Sequence, residues 1–167
     1  HFEATPEERA AYLKMRRAMA GLTDEDTGDE DVPADPNFSQ ERYEEMAAVE
    51  NLILTITRGG SGKLSSSHDY PVRGRGGMGV AAMDKAMRGG QVVASFPVEL
   101  VNQIMLVTST GQSIRCPIDG ISFRSRNAGG VRVFNTSRDE QVVSVAYIPD
   151  QGDAEEAPEE HASEIDC

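Results

Sequence analysis

Asn51-Leu-Ile-Leu-Thr-Ile-Thr57 and Asn102-Gln-Ile-Met-Leu-Val-Thr108 are the two stretches that decide the fold class of this 167-residue sequence. Both are short runs rich in β-branched and aliphatic residues, and the second repeats the first about 50 residues later. The same shift aligns further matching residues: Gly60 with Gly111, and Gly79-Val80 with Gly130-Val131. The chain from Asn51 onward is therefore predicted to contain two copies of one structural unit.

Each copy is predicted to contain four strands, because short apolar runs alternate with Gly-rich and charged turns. The predicted strands are Leu52 to Thr57, Lys63 to Ser66, Gly79 to Met83, Val92 to Val98, Gln103 to Thr108, Ser113 to Pro117, Val131 to Asn135 and Val142 to Ile148. Four strands in a repeat of this length are typical of a β-propeller blade. We therefore predict an all-β fold with blades at residues 51–101 and 102–149. About three or more repeats are normally needed for stability, so we expect further blades upstream.

Two helices are predicted before the repeats. Thr5 followed by Glu8 forms a capping-box pattern, and the helix that it begins is expected to end near Gly21. Ser39 is placed to cap a second helix that runs to about Glu50. Residues 1–50 are thus predicted to be a two-helix insertion.

The charge is distributed unevenly along the chain. The formal net charge is −12, but residues 51–149 carry 11 basic and 6 acidic side chains, a net +5. Residues 1–50 carry 5 basic and 14 acidic side chains, and residues 150–167 carry 8 acidic and no basic ones. Residues 22–37 and 150–167 are predicted to be disordered, since their acidic, polar composition cannot bury enough apolar surface. The basic body predicts a charged partner, for which the acidic tail could compete or act only as a spacer.

The Gly-rich segments do not predict a nucleotide site. Gly74 to Gly79 satisfies the G-x-G-x-x-G pattern, but a dinucleotide site needs a strand before it and a helix after it. Ser61-Gly62-Lys63-Leu64 lacks the Ser or Thr that follows the lysine of a P-loop. The histidines have no evident partners in the sequence. We therefore predict no catalytic residue, no metal site and no cofactor in this segment.

A pair of arginines recurs at the blade period. Arg73-Gly-Arg75 in the first repeat corresponds to Arg124-Ser-Arg126 in the second, and each pair lies beside small residues. In an extended chain, residues two apart point to one face, and guanidinium groups bind phosphate with two parallel hydrogen bonds. Such loops on successive blades would form a phosphate-binding track without sequence preference.

These residues resemble a known family. Arg75-Gly-Gly-Met-Gly-Val80 and Arg126-Asn-Ala-Gly-Gly-Val131, with the runs that begin at Asn51 and Gln103, are similar to the last two blades of the C-terminal domain of the bacterial DNA gyrase A protein. The resemblance covers residues 51–149, and it implies a six-bladed β-pinwheel whose rim wraps DNA. The segment Glu3 to Lys14 is similar to a helical insertion found after the preceding blade in some proteobacterial gyrases. The tail resembles the acidic tails of the family.

The sequence departs from the family at two places. The family's signature box, Gln-Arg-Arg-Gly-Gly-Lys-Gly, lies in the first blade, whereas residues 73–79 look penultimate and have Gly74 and Met78 in place of Arg and Lys. Leu64 stands where the family usually has a basic residue, matching Arg115 in the next repeat. The first blade here is therefore expected to hold DNA less firmly than the second.

The resemblance implies a partner set and a site. The partners would be double-stranded DNA, the rest of the gyrase A protein, and the gyrase B protein in an A2B2 heterotetramer, with no membrane partner. ATP and Mg²⁺ would act on other regions of this type II DNA topoisomerase, whose catalytic tyrosine region is absent here. The predicted DNA-binding residues are Arg58, Lys63, Arg73, Arg75, Arg115, Arg124, Arg126 and Arg132, with Lys85 and Arg88 as weaker candidates.

Two alternatives remain open from the sequence. The chain could be the C-terminal domain of the corresponding protein of topoisomerase IV, which has the same blades without the box. It could also be a propeller-type protein-interaction module with incidental arginines. The sequence shows neither an export signal nor an apolar run long enough to span a bilayer, so we expect a cytoplasmic, chromosome-associated protein.

Overall fold

The computed structural model describes residues 2–22, 33–84 and 90–149. Two helices precede seven strands: α1 Pro6–Met19, α2 Gln40–Ala48, β1 Leu52–Thr57, β2 Ser61–Ser66, β3 Val92–Val98, β4 Gln103–Thr108, β5 Ser113–Pro117, β6 Val131–Arg132 and β7 Val142–Ile148. Short 3-10 helices at Ser67–Asp69 and Ile118–Gly120 follow β2 and β5. The predicted change from helices to β-structure near Asn51 is confirmed.

The repeat predicted from the sequence is visible in the backbone. Antiparallel strands form a sheet in the order β3-β1-β2-β6 and a second sheet in the order β5-β4-β7. A register shift occurs at Ile56/Thr57 in β1 and at Val107/Thr108 in β4, at matching places in the two repeats. The tight turn that follows each shift contains a glycine with positive φ, Gly60 or Gly111. The two repeats therefore share local geometry as well as sequence.

The strand β6 crosses from one repeat to the other. It belongs to the second repeat in sequence, but it pairs with β2 of the first, with Ser61 opposite Arg132 and Gly62 opposite Val131. The backbones approach so closely here that a Cβ on Gly130 would lie 2.9 Å from the Gly62 nitrogen. The two repeats are therefore interlocked by hydrogen bonds as well as packed together.

The strand exchange explains the main error in the predicted strands. Residues Gly79 to Met83 form no strand in the structure, although their counterpart in the second repeat contains β6. Since β6 pairs with the repeat before its own, the equivalent residues of the first repeat would need a still earlier repeat. No such partner lies among residues 2–22, 33–84 and 90–149. The predicted strand from Val131 to Asn135 is also shortened, to Val131–Arg132.

One apolar core runs through both repeats. Its buried side chains are Leu54, Ile56, Leu64, Val98, Ile104, Leu106, Ile114, Cys116, Ile118, Ile121, Phe134 and Val142. Burying a large aliphatic side chain contributes about 1.5–3 kcal/mol, so this shared core is the main source of cohesion between the repeats.

The two helices pack on each other and on the first repeat. The capping box at Thr5 is confirmed: the Thr5 amide donates to Glu8 Oε2 at 2.8 Å, and the Glu8 amide donates to Thr5 Oγ1 at 3.2 Å. A small core of Tyr12, Leu13, Tyr43 and Met46 holds the helices together. His68 Nε2 lies 2.8 Å from the Met46 carbonyl oxygen and so connects α2 to the segment after β2.

The side chain of Arg16 connects α1 to the chain just before β1 and to the second repeat. Its Nε donates to Glu50 Oε2 at 3.2 Å, and its guanidinium lies over the Phe123 ring at 4.5 Å from the centroid. The predicted acidic tail and most of the predicted acidic loop lie outside the described residues. No helix in the part of the chain that the structure describes is long and apolar enough to cross a bilayer.

Candidate nucleic-acid interface

Five of the predicted arginines have exposed side chains: Arg58, Arg73, Arg75, Arg115 and Arg132. Arg58 begins the turn between β1 and β2, and Arg132 lies opposite Ser61 at the end of that turn. These two residues therefore flank one sheet end, where Arg132 Nη1 also donates to Asn135 Oδ1 at 3.2 Å. A guanidinium group can bind a phosphate with two parallel hydrogen bonds, so both side chains are candidates for phosphate contact.

Arg115 lies on the other sheet. It is an exposed residue of β5, an edge strand, and its Nε donates to Gln103 Oε1 on the neighbouring β4. That hydrogen bond uses one of the five N–H donors of the guanidinium group, which leaves others to meet a ligand.

Arg73 and Arg75 lie in a segment without regular structure. Gly76 and Gly79 adopt positive φ values of 77° and 72°, which L side chains rarely adopt. A Cβ placed on Gly74, Gly76 or Gly79 would have no neighbouring atom within 4 Å. The segment is therefore open to an incoming ligand from several directions.

Lys63 is placed inside the protein, and we remove it from the predicted set. Its side chain is 0% exposed, and its ammonium group donates to the carbonyl oxygens of Ser125 at 2.9 Å, of Ala128 at 2.7 Å, and of Arg126. Burial lowers the pKa of Lys63 to about 8. The ammonium joins β2 to residues 125–128 of the second repeat, and its burial there prevents contact with a phosphate.

Arg126 is also internal, at 7% exposed, and leaves the predicted set for the same reason. Its backbone amide donates to Asp69 Oδ2 at 2.7 Å, and its Nε donates to the Asp69 carbonyl oxygen at 2.8 Å. The guanidinium also donates to the Ala81 carbonyl oxygen at 2.5 Å. Lys63, Asp69 and Arg126 thus form a polar joint between the repeats, which we call the inter-repeat lock.

The remaining candidates are less accessible or lie outside the described residues. Arg124 is half-buried, and its backbone amide donates to the Leu64 carbonyl oxygen at 2.7 Å. Lys85 and Arg88 fall outside the described residues. The prediction that these three residues contact DNA stays a prediction.

The sequence reasoning missed two residues. No structural role was predicted for Asp69, although it is buried, at 6% exposed, and accepts a hydrogen bond from the Arg126 amide. Arg138 is exposed in the turn before β7, where the Val142 amide donates to the Arg58 carbonyl oxygen at 2.8 Å. A signal for the burial of Lys63 was present, because the repeat aligns it with Ile114, a core residue. No comparable signal marked Arg138.

Comparison with known proteins places this geometry in a family. The family described as DNA gyrase C-terminal domain, β-propeller, matches residues 51–99 and 102–149. The DNA gyrase A protein of Granulibacter bethesdensis is 43% identical over 157 residues, which cover 87% of this chain and 17% of that protein. The gyrase A protein of Rickettsia prowazekii is 36% identical over 158 residues, 93% of this chain and 17% of that protein. The chain thus spans about a sixth of the length of these relatives.

Solved structures agree on the fold. A structure of a DNA gyrase A C-terminal domain superposes with a TM-score of 0.56 at 23% identity, covering 60% of this chain and 34% of that one. The C-terminal domain of a DNA topoisomerase IV gives a TM-score of 0.54 at 22% identity, covering 60% and 31%. The match of the family over both repeats, together with relatives that cover nearly the whole sequence, leads to one conclusion: the chain belongs to the C-terminal β-propeller family of the DNA gyrase A protein.

Proposed function

We propose that this segment binds duplex DNA through its phosphates and helps to wrap it, as the C-terminal part of a gyrase A protein. The observation that carries the proposal is the set of exposed arginines on a body with a net charge of +5. The proposed phosphate contacts are the five exposed arginines of the predicted set: Arg58, Arg73, Arg75, Arg115 and Arg132.

The energy needed to bend DNA sets a lower limit on the number of phosphate contacts. Bending 20–30 base pairs by 40–90° costs on the order of 1–6 kcal/mol. Phosphate contacts position the duplex without reading its sequence, and each releases condensed counterions. Several contacts from each repeat, added to those of further repeats, are therefore needed to offset the bending energy.

We further propose that the chemistry of the reaction takes place outside this segment. Tyr12 and Tyr43 are buried and stacked with ring centroids 4.9 Å apart, and the Tyr70 hydroxyl lies 3.0 Å from Ser65 Oγ, so these tyrosines have structural roles. DNA cleavage would use another region of the gyrase A protein, and ATP with Mg²⁺ would bind the gyrase B protein of an A2B2 assembly. The wrapped segment would then favour negative supercoiling in the bacterial cytoplasm.

The test is a salt series with matched variants of a gyrase A protein that carries this segment. For a random duplex of about 40 base pairs, a plot of log affinity against log salt concentration should be linear, with a slope of about −0.9 for each phosphate contacted. The triple variant R58A/R115A/R132A should make the slope shallower by about 2.7. Lys14→Ala, which removes an exposed charge from α1, is the control and should leave the slope unchanged. A triple variant with an unchanged slope would refute the assignment.

The same experiment tests the protein-interaction alternative. A protein-interaction module would bind DNA weakly and with little dependence on salt. The topoisomerase IV alternative has the same fold, but the relatives of 36% and 43% identity are gyrase proteins, which favours gyrase.

A further inference from the structure

The helix α1 precedes the residues that the propeller family matches, which begin at Asn51. It is nevertheless attached to the first repeat at two places. Arg16 Nε donates to Glu50 Oε2 at 3.2 Å, two residues before β1. The Tyr12 ring packs edge-on against the His68 ring, just after β2, with centroids 4.9 Å apart. The helix therefore contacts the chain at both ends of the β1–β2 hairpin.

The two ends of this hairpin are also joined to each other. The Asn51 amide donates to Ser67 Oγ at 3.0 Å, and the Ser67 amide donates to the Asn51 carbonyl oxygen at 2.8 Å. His68 Nε2 lies 2.8 Å from the Met46 carbonyl oxygen of α2. The two helices and the β1–β2 hairpin therefore form one connected unit.

From this unit, Arg16 reaches the second repeat. Its guanidinium carbon lies 4.5 Å from the centroid of the Phe123 ring. A guanidinium over an aromatic face at this distance is attracted by the ring quadrupole, and the attraction is stronger where water is partly excluded. The Arg16 side chain is 24% exposed, so this contact is partly shielded from water.

Phe123 lies at the joint between the repeats. The residues on either side of it are hydrogen-bonded to β2: the Leu64 amide donates to the Ser122 carbonyl oxygen at 3.0 Å, and the Arg124 amide donates to the Leu64 carbonyl oxygen at 2.7 Å. Phe123 itself packs against the shared core. If the second repeat moved away from β2, the Phe123 ring would move away from Arg16. The contact between Arg16 and Phe123 therefore opposes opening of the joint.

We propose that α1 is a brace across the joint between the two repeats, and that Arg16 is the positioning residue through which it acts. The brace and the inter-repeat lock share no residue, because the lock consists of Lys63, Asp69 and Arg126. A chain without the helical insertion would keep the lock and lose the brace.

The consequence for DNA rests on the proposed function. Arg132 follows Phe123 in the same segment, so a fixed joint fixes the position of Arg132 relative to β2. Arg16 faces Glu50 and Phe123 and acts on DNA only through the joint. Arg16→Ala should therefore leave the salt slope of DNA affinity unchanged, while it lowers the linking-number change that the bound protein traps in a relaxed circular plasmid.

The experiment compares Arg16→Ala with Arg17→Ala in the whole gyrase A protein. Both side chains are half-buried in the last turn of α1, but that of Arg17 makes no ion pair or ring contact in the described part of the chain. Hydrogen exchange at the Arg124 amide reports opening of the joint. We expect R16A to accelerate this exchange about fivefold and R17A to leave it unchanged.

A control amide separates opening of the joint from a general loss of stability. The Thr108 amide donates to the Gln112 carbonyl oxygen at 2.9 Å and closes the β4–β5 turn, which can open without moving Phe123. Its exchange should be the same in R16A and R17A.

A double-mutant cycle separates the two contacts of Arg16. Phe123→Leu removes the ring but keeps an apolar side chain on the core. If Arg16 acts on the joint through the ring, R16A/F123L should exchange at the Arg124 amide at the same rate as F123L.

The outcomes support or overturn the brace. Faster exchange at Arg124 in R16A than in R17A, with no further change when R16A is added to F123L, supports it. Equal exchange in R16A and R17A overturns it, as does equal acceleration at Arg124 and Thr108. An R16A effect that persists in the F123L background also overturns it and assigns Arg16 to the Glu50 contact alone. Because the exchange measurements do not involve DNA, failure of the brace is distinct from failure of the DNA-binding proposal.

Discussion

Replacing Lys63 by isoleucine tests how much the inter-repeat lock contributes to stability. The change is suggested by the protein itself, since Ile114 occupies the equivalent core position of the second repeat. It removes the ammonium that donates to the carbonyl oxygens of Ser125, Arg126 and Ala128. The variant thus leaves three acceptors without this donor.

The expected magnitude comes from two opposing effects. Leaving a buried acceptor unsatisfied costs about 1–3 kcal/mol, so three acceptors cost about 3–9 kcal/mol. The variant also avoids the desolvation of a buried ammonium, which is several kcal/mol. We expect a net loss of about 3 kcal/mol in the free energy of opening the joint between the repeats, at the lower end of that range, because the avoided desolvation offsets part of the lost hydrogen bonding.

Native-state hydrogen exchange measures this free energy where it acts. The Leu64 amide donates to the Ser122 carbonyl oxygen at 3.0 Å and the Arg124 amide to the Leu64 carbonyl oxygen at 2.7 Å, so both amides report opening of the joint. A loss of about 3 kcal/mol corresponds to exchange on the order of 100-fold faster at these amides. Lys14→Ile, on the exposed side of α1, controls for adding an isoleucine.

The reasoning is refuted if K63I exchanges no faster at Leu64 and Arg124 than the unaltered protein does. That result would mean that apolar packing at this position replaces the ammonium and its hydrogen bonds without loss, as occurs for some buried ion pairs.

Three further predictions concern other features. The pKa of Lys63 is about 8 in the folded state, below the ordinary 10.5, so between these pH values the unfolded state binds more protons than the folded state. The free energy of unfolding should therefore rise from pH 8 to 10.5 relative to that of K63I, by at most about 3 kcal/mol. Urea melts measure this difference, and a difference that does not change with pH would contradict the prediction. Gly130→Ala should destabilise the protein, because the added Cβ would lie 2.9 Å from the Gly62 backbone. Gly74→Ala is the control and should not, because its Cβ would have no atom within 4 Å. Thermal unfolding compares the two variants, and equal melting temperatures would exclude the close approach. Deleting residues 151–167 should tighten DNA binding at low salt by removing acidic charge, and unchanged affinity would mean that the tail is only a spacer.

The sequence was sufficient for the features that depend on local residue patterns. The strands at Leu52–Thr57 and Gln103–Thr108 were predicted with their observed bounds, because their apolar runs and flanking turns are local signals. The capping pattern at Thr5 likewise determined the start of α1. These features need no knowledge of how the repeats pack.

The errors concern residues whose state depends on the neighbouring repeat. Residues 79–83 were predicted as a strand from their likeness to the segment containing β6, yet pairing requires a partner strand from another repeat. Lys63 and Arg126 were predicted as phosphate contacts from their charge. Both are buried because each repeat uses a cation to hold the other, with carbonyl oxygens around Lys63 and Asp69 beside Arg126.

The exchanged strand β6 also determines how mechanical load would pass through the protein. A phosphate held by Arg132 would pull on a strand that is covalently part of the second repeat and hydrogen-bonded to β2 of the first. The elastic recoil of a bent duplex would therefore be resisted by two sheets at once, and peeling β6 from β2 would require breaking hydrogen bonds together with the packing of Gly130 on Gly62. A strand shared in this way would make neighbouring repeats open together under tension, and DNA wrapped on them would be curved by a surface that does not yield one repeat at a time.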